Sequence, residues 1–176
     1  SLNTNKVLGI AMGTSEAGGY VDGGGCIRGW LNELAFVPVD FNENALVDPW
    51  SGDIGCGVNY FSQDAVIKLA ALCGLELEGD TPAKKLKSAQ EMLENGVEKA
   101  QWIFEDIGTY LAHSLAYYFK FYDVNQVLIL GRVSSGKGGE IIINTCNNTL
   151  KELYPQIAEN VKINLPDEKS RRVGQS

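Results

Sequence analysis

The stretch Lys6–Gly29, KVLGIAMGTSEAGGYVDGGGCIRG, decides the fold. Lys6–Met12 is a short apolar run ending at Gly13-Thr14, the pattern of a buried strand. Gly18–Asp22 is a second extended stretch, closed by Gly23-Gly24-Gly25, and Cys26–Gly29 returns as a third strand. Three strands in quick succession, joined by glycine-rich turns, make an antiparallel meander.

Outward from the meander the pattern changes. Leu34–Val39 is one more short apolar stretch, and Asp40–Gly57 is loop-like. Asn59–Leu72 has helical spacing through Phe61, Ala65, Val66, Leu69, Ala70 and Leu72. Thr81-Pro82 is an N-cap followed by proline at the first helical position, which opens a helix over Pro82–Leu93. Val97–Phe121 is a long apolar helix suited to packing across a sheet. Gln126–Leu130 (QVLIL) is a continuous apolar run typical of a buried parallel strand. Gly131–Gly139 is a loop, Glu140–Leu153 a helix and Asn160–Leu165 a final strand. The chain is therefore an α/β protein with a mixed sheet, in the order β-β-β-α-β-α-β with extra helices inserted after the third strand.

At 176 residues the chain fits one domain, and 44% hydrophobic with 21% charged residues is an ordinary globular balance. The net charge of −7, without a basic stripe, argues against gripping a nucleic-acid backbone. Lys84-Lys85-x-Lys87 and Arg171-Arg172 are too short to change that and read as solvated faces. No apolar run approaches the roughly 20 residues of a membrane helix. Cys26, Cys56, Cys73 and Cys146 are widely spaced, form no C-x-x-C pair, and suit a reducing cytoplasm.

Two glycine-rich bends could carry chemistry. Gly13-Thr14-Ser15-Glu16-Ala17-Gly18-Gly19 leaves one strand and enters another. Its glycines let a phosphate approach the backbone, and Thr14 and Ser15 add hydroxyls, although a plain hairpin explains the composition equally well. Gly131–Gly139 (GRVSSGKGG) follows a buried strand and precedes a helix. It comes within one residue of a P-loop, but position 138 is glycine where the magnesium-binding hydroxyl should stand. A true P-loop NTPase is thereby disfavoured, while a nucleotide at a strand's end and a helix's start is not. His113, the only histidine, and the aromatic residues Trp102, Tyr110, Tyr117 and Tyr118 read as packing residues of the long helix rather than as catalytic or stacking groups.

From Lys6 onward the chain resembles the ROK family of bacterial sugar kinases and regulators. Gly13–Gly23 follows that family's phosphate-binding turn, with Ser15 and Ala17 in place of two glycines. Asn32-Glu33-Leu34-Ala35-Phe36 with Pro38-Val39-Asp40, Gly55-Cys56-Gly57-Val58 with Ser62, and Leu130-Gly131-Arg132-Val133-Ser134 resemble three further elements. Val173-Gly174-Gln175-Ser176 resembles the start of the family's last helix. The resemblance implies a ribonuclease H-like lobe of the actin-like ATPase class. Residues 1–176 would form the C-terminal lobe of a bilobal protein, with the N-terminal lobe and the last helix absent. It implies ATP with magnesium as cofactors, a nucleotide and a sugar as ligands, and permits a homodimer. Gly13, Thr14, Ser15 and Gly18 would face the phosphates, Gly131, Arg132 and Ser134 the adenosine side, and Glu33 a sugar hydroxyl.

The departures from the family pattern narrow the expectation. The family's zinc is held by one His and three Cys, but here Phe36 stands at the His position and Cys56 alone remains of the cysteines. No zinc is therefore expected. Phe36 and Val58 also replace two of three sugar ligands, at a cost of roughly 1–2 kcal/mol each. The catalytic Asp of these kinases lies in the other lobe, so no catalytic residue is expected in this chain, and the fragment alone is expected to be inactive. A regulator or binding protein that kept the fold and lost the chemistry is the alternative.

Overall fold

The computed structural model describes residues 5–29 and 32–166. Arg171, Arg172 and the Val173–Ser176 ending lie outside those residues. The meander forms as β1 (Val7–Met12), β2 (Glu16–Val21) and β3 (Ile27–Arg28). β4 (Gln126–Leu130) and β5 (Lys162–Asn164) complete a sheet ordered β3-β2-β1-β4-β5. β1 pairs antiparallel with β2 and parallel with β4, in the register Val7↔Gln126 to Ala11↔Leu130. β4 pairs parallel with β5. The sheet is mixed, as expected.

Period-2 alternation puts Leu8, Ile10 and Met12 of β1, with Val127 and Ile129 of β4, on one buried face. Against it lies the core of α1 (Gln63–Leu72), α2 (Pro82–Glu94), α3 (Glu98–Tyr118) and α4 (Gly136–Leu153). Ser62 caps α1 by accepting from the Ala65 N–H at 3.2 Å, and Thr81 caps α2 by accepting from Lys84 N–H at 3.3 Å.

Several boundaries differ from the sequence reading. β2 starts at Glu16, so the first bend shrinks to Gly13–Ser15. Helix α1 starts at Gln63, after a 3-10 turn at Gly57–Asn59. Leu34–Phe36 is likewise a 3-10 turn. Helix α4 begins at Gly136, four residues early, because Gly138 and Gly139 serve helix packing rather than a loop. A Cβ on Gly138 would sit 2.6 Å from the Phe104 ring, and one on Gly139 would sit 2.7 Å from the Ser134 carbonyl carbon. A short helix, α5 (Pro155–Asn160), was not anticipated. His113 is exposed, and Trp102 and Tyr117 are 43% and 39% exposed, so the aromatic stripe of α3 is only partly core. Lys84 and Lys87 are exposed on α2, as expected.

Candidate functional site

Because β1 and β4 run parallel and side by side, their C-terminal ends open at the same edge of the sheet. The two glycine-rich bends therefore meet. Val133 N–H donates to the Met12 carbonyl at 3.2 Å, which ties the second bend to the first. Gly131 has φ +95°, and a Cβ there would lie 2.6 Å from the Met12 carbonyl carbon and 2.8 Å from its nitrogen. Only glycine satisfies both the backbone angle and the approach. The Gly13 carbonyl accepts from Gln63 N–H at 2.8 Å, so the first residue of α1 pins the first bend as well.

Around this junction the predicted residues have different duties. Thr14 and Ser15 are exposed at the tip of the first bend. Arg132 is exposed on the second, and its carbonyl accepts from Gln90 Nε2 at 3.0 Å. Ser134 is 2% exposed, and its hydroxyl donates inward to the Gly131 carbonyl at 3.1 Å. It shapes the bend and presents no hydroxyl to a ligand. Gly18 is needed for packing, since a Cβ there would lie 2.8 Å from Leu34. Lys137 turns away and donates to the Leu93 carbonyl at 3.1 Å, closing the C-terminal end of α2. This geometry removes the P-loop reading, because the lysine is engaged elsewhere and position 138 has no room for a hydroxyl-bearing side chain.

The N-terminus of the 18-residue α4 opens at this junction, and the side chain of its N-cap, Ser135, makes no capping bond. The first-turn N–H groups lack intrahelical partners and carry the positive end of the helix dipole. With the exposed hydroxyls of Thr14 and Ser15 they suit an anion, and the residues present fit one end of a polyphosphate.

One residue at the site went unrecognised in the sequence. Glu16, the first residue of β2, pairs with Met12 and is 5% exposed. Among the described residues neither of its carboxyl oxygens has a hydrogen-bond partner, and burial pushes its pKa up to about 8. A Cβ on Gly57 would run into this carboxyl group and lie 2.5 Å from the Leu34 carbonyl oxygen. The acid is thus neutral at pH 7 and lies directly beneath the first bend. An acidic residue reads as surface in a sequence, and only the pairing with Met12 on the buried face reveals otherwise.

On the sugar side, Glu33 is exposed at the entry to the 3-10 turn Leu34–Phe36. Phe36 is 44% exposed, with its ring centroid 6.1 Å from that of Trp50. Cys56 is buried, and its sulfur accepts from Asn59 Nδ2 at 3.2 Å. These residues do not fit a zinc ion, because Phe36 has no lone pair to offer and the side chain bonded to the Cys56 sulfur is the amide of Asn59. An ammonium group holds this region instead. Lys68 Nζ bonds to the Val47 carbonyl at 3.2 Å, Asn59 Oδ1 at 2.6 Å and Asp64 Oδ2 at 2.8 Å. Asp40, of the Pro38-Val39-Asp40 element, accepts at Oδ2 from Tyr60 at 2.6 Å and Tyr110 at 3.2 Å. At Oδ1 it accepts from Asn42 N–H at 3.0 Å and Nδ2 at 2.5 Å. Burial pushes the Asp40 carboxyl up, and these donors together bring it below its ordinary value.

No protein-family model matches the chain. No curated protein matches it. Solved structures do match. A ROK family glucokinase from Streptomyces griseus, solved with glucose and AMPPNP, has a TM-score of 0.71 at 19% identity, over 93% of this chain and 56% of that one. The ROK hexokinase from Thermus thermophilus has a TM-score of 0.66 at 16% identity, over 90% of this chain and 51% of that one. A ROK family transcriptional regulator, a homologue of the E. coli MLC protein, has a TM-score of 0.69 at 17% identity, over 90% of this chain and 41% of that one. The chain thus spans about half the length of the structures it matches. Among the described residues no helix is long and apolar enough to cross a membrane. The chain shares the mixed-sheet α/β fold of the lobe that it matches in these ROK family structures.

Proposed function

We propose that this chain is the nucleotide-clasping lobe of a ROK-like sugar kinase. In that reading the exposed Thr14 and Ser15 hydroxyls and the first-turn N–H groups of α4 hold the phosphates of ATP. Gly131 and Arg132 flank the adenosine side, and Glu33 accepts from a sugar hydroxyl. Magnesium, when bound, offsets the phosphate charge. The reacting hydroxyl's proton acceptor belongs to a second lobe, so this chain by itself binds and orients but does not transfer phosphate.

The observation that supports this most is the Met12–Val133 bond with Gly131 packed on Met12, which brings both bends to one sheet edge. Calorimetry of the chain with magnesium ATP tests it. Saturable binding at about millimolar strength, lost in Gly131→Ala, supports the reading. No heat at any attainable concentration contradicts it.

A second reading, a non-catalytic regulator, is favoured by Phe36 and Val58 at two positions where sugar contacts were expected. Sugar-dependent phosphate release by a protein carrying this lobe together with its second lobe would eliminate it.

A further inference from the structure

Far from the glycine bends, a hollow of about 460 Å³ opens between the Pro38–Asn42 segment, the flank of α3 and Tyr154. Tyr154 follows the last residue of α4, whose first residue Gly136 closes the second bend. The length of that helix separates the two places by about 27 Å. Its volume falls in the range of small-molecule sites, and it lies apart from the two bends.

Its lining is chemically one-sided. Phe41, Tyr110, Tyr117 and Tyr154 contribute aromatic rings, and among the described residues no lysine or arginine takes part. Asp40 lies in its wall, 8% exposed, with all four acceptor positions of its carboxylate filled by Tyr60, Tyr110 and Asn42. Those donors keep Asp40 ionised without neutralising it. Asp106 stands one helical turn from Tyr110. The Tyr110 phenol is pushed up to about 12, first by burial and then by the nearby charges of Asp40 and Asp106. Neither carboxylate forms an ion pair among the described residues. His113 is held at the edge of the hollow, its Nδ1 2.8 Å from the Tyr154 hydroxyl, with the two rings edge to face at 88°.

Directional hydrogen bonding is poorly served here, because the Asp40 acceptors are filled, His113 Nδ1 is paired to Tyr154 and the Ser114 hydroxyl is buried in the wall. An anion would be repelled. A cation that needs no directional hydrogen bond gains from both features, the ring quadrupoles and the uncompensated carboxylates. We infer that the hollow beside α3 binds a small organic ammonium ion, held by the aromatic rings of Phe41, Tyr110, Tyr117 and Tyr154 and by the charge of Asp40.

Choline and its neutral isostere 3,3-dimethylbutan-1-ol separate charge from shape, with titrations of the whole chain followed by NMR or calorimetry. Choline is expected to bind saturably, and the neutral alcohol to bind about tenfold more weakly. Phe41→Ala and Tyr117→Ala, at residues 81% and 39% exposed, leave the core intact. Each is expected to weaken choline about fivefold, and Asp106→Asn to weaken it by a smaller factor. The inference is overturned by equal affinity for the alcohol, by unchanged affinity in the Phe41 and Tyr117 variants, or by no saturation at about 10 mM choline. It is overturned too if the chain dimerises and these two variants dissociate it, since the hollow would then be a contact between copies.

Discussion

Replacing Glu16 by glutamine should make the protein more stable at neutral pH, against the usual direction of core substitutions. The folded-state pKa is about 8, raised from 4.5 by burial, and both carboxyl oxygens are unpartnered among the described residues. Below pH 4.5 the group is protonated in folded and unfolded chains alike and contributes no difference. Between 4.5 and 8 the unfolded chain releases the proton and the folded chain keeps it, so stability falls as pH rises and levels off above 8. At pH 7 the loss is on the order of 3 kcal/mol, from roughly 2.5 pH units at 1.36 kcal/mol each. Glutamine keeps nearly the same volume and a similar polar burden but cannot ionise. Urea unfolding of both proteins at several values between pH 5 and 8 should give a difference that widens with pH in favour of Glu16→Gln. A difference that stays constant across the range, or a variant less stable at pH 7, would refute the burial argument. The same ionisation would place a negative charge beneath the first bend, so nucleotide affinity of the parent chain should fall as pH passes 8 and that of the variant should not.

Gly131→Ala should cost about 2–4 kcal/mol, from an unfavourable positive φ together with a backbone clash against Met12, and thermal unfolding measures it. Lys68→Met removes the ammonium that ties Val47, Asn59 and Asp64, at about 2 kcal/mol by denaturant titration, and leaves the glycine bends unchanged. Tyr60→Phe removes the shortest hydroxyl donor to Asp40 and should cost about 1–3 kcal/mol. It should also raise the Asp40 pKa. The stability this carboxylate contributes, lost as pH falls through its lowered folded value, would then disappear at a higher pH, which acid titration of the variant detects.

The sheet was legible where one signal dominated. Gln126–Leu130 forms a strand over those same residues because an unbroken apolar run is bounded by Asn125 and Gly131. Its parallel pairing with β1 brings the two bends to one edge of the sheet, a neighbour relation that neither run reports by itself. Glycines misled where they serve packing. Gly138 and Gly139 read as loop, yet they let α4 press against Phe104 and Ser134. Hydroxyls misled too, since Ser134 spends its proton on Gly131 while Thr14 and Ser15 stay exposed. Glu16 was invisible as a buried acid because burial depends on strand pairing, which no local pattern reports. Helical spacing placed His113 in the core, but its position on α3 faces the hollow near Tyr154.

Backbone amide mapping by NMR, with a nonhydrolysable magnesium-bound ATP analogue titrated into the chain, addresses the shared sheet edge most directly. The amides of Gly13–Ser15 and Gly131–Gly138 are expected to shift together along one saturation curve. Shifts confined to one bend, or located away from both, would contradict it.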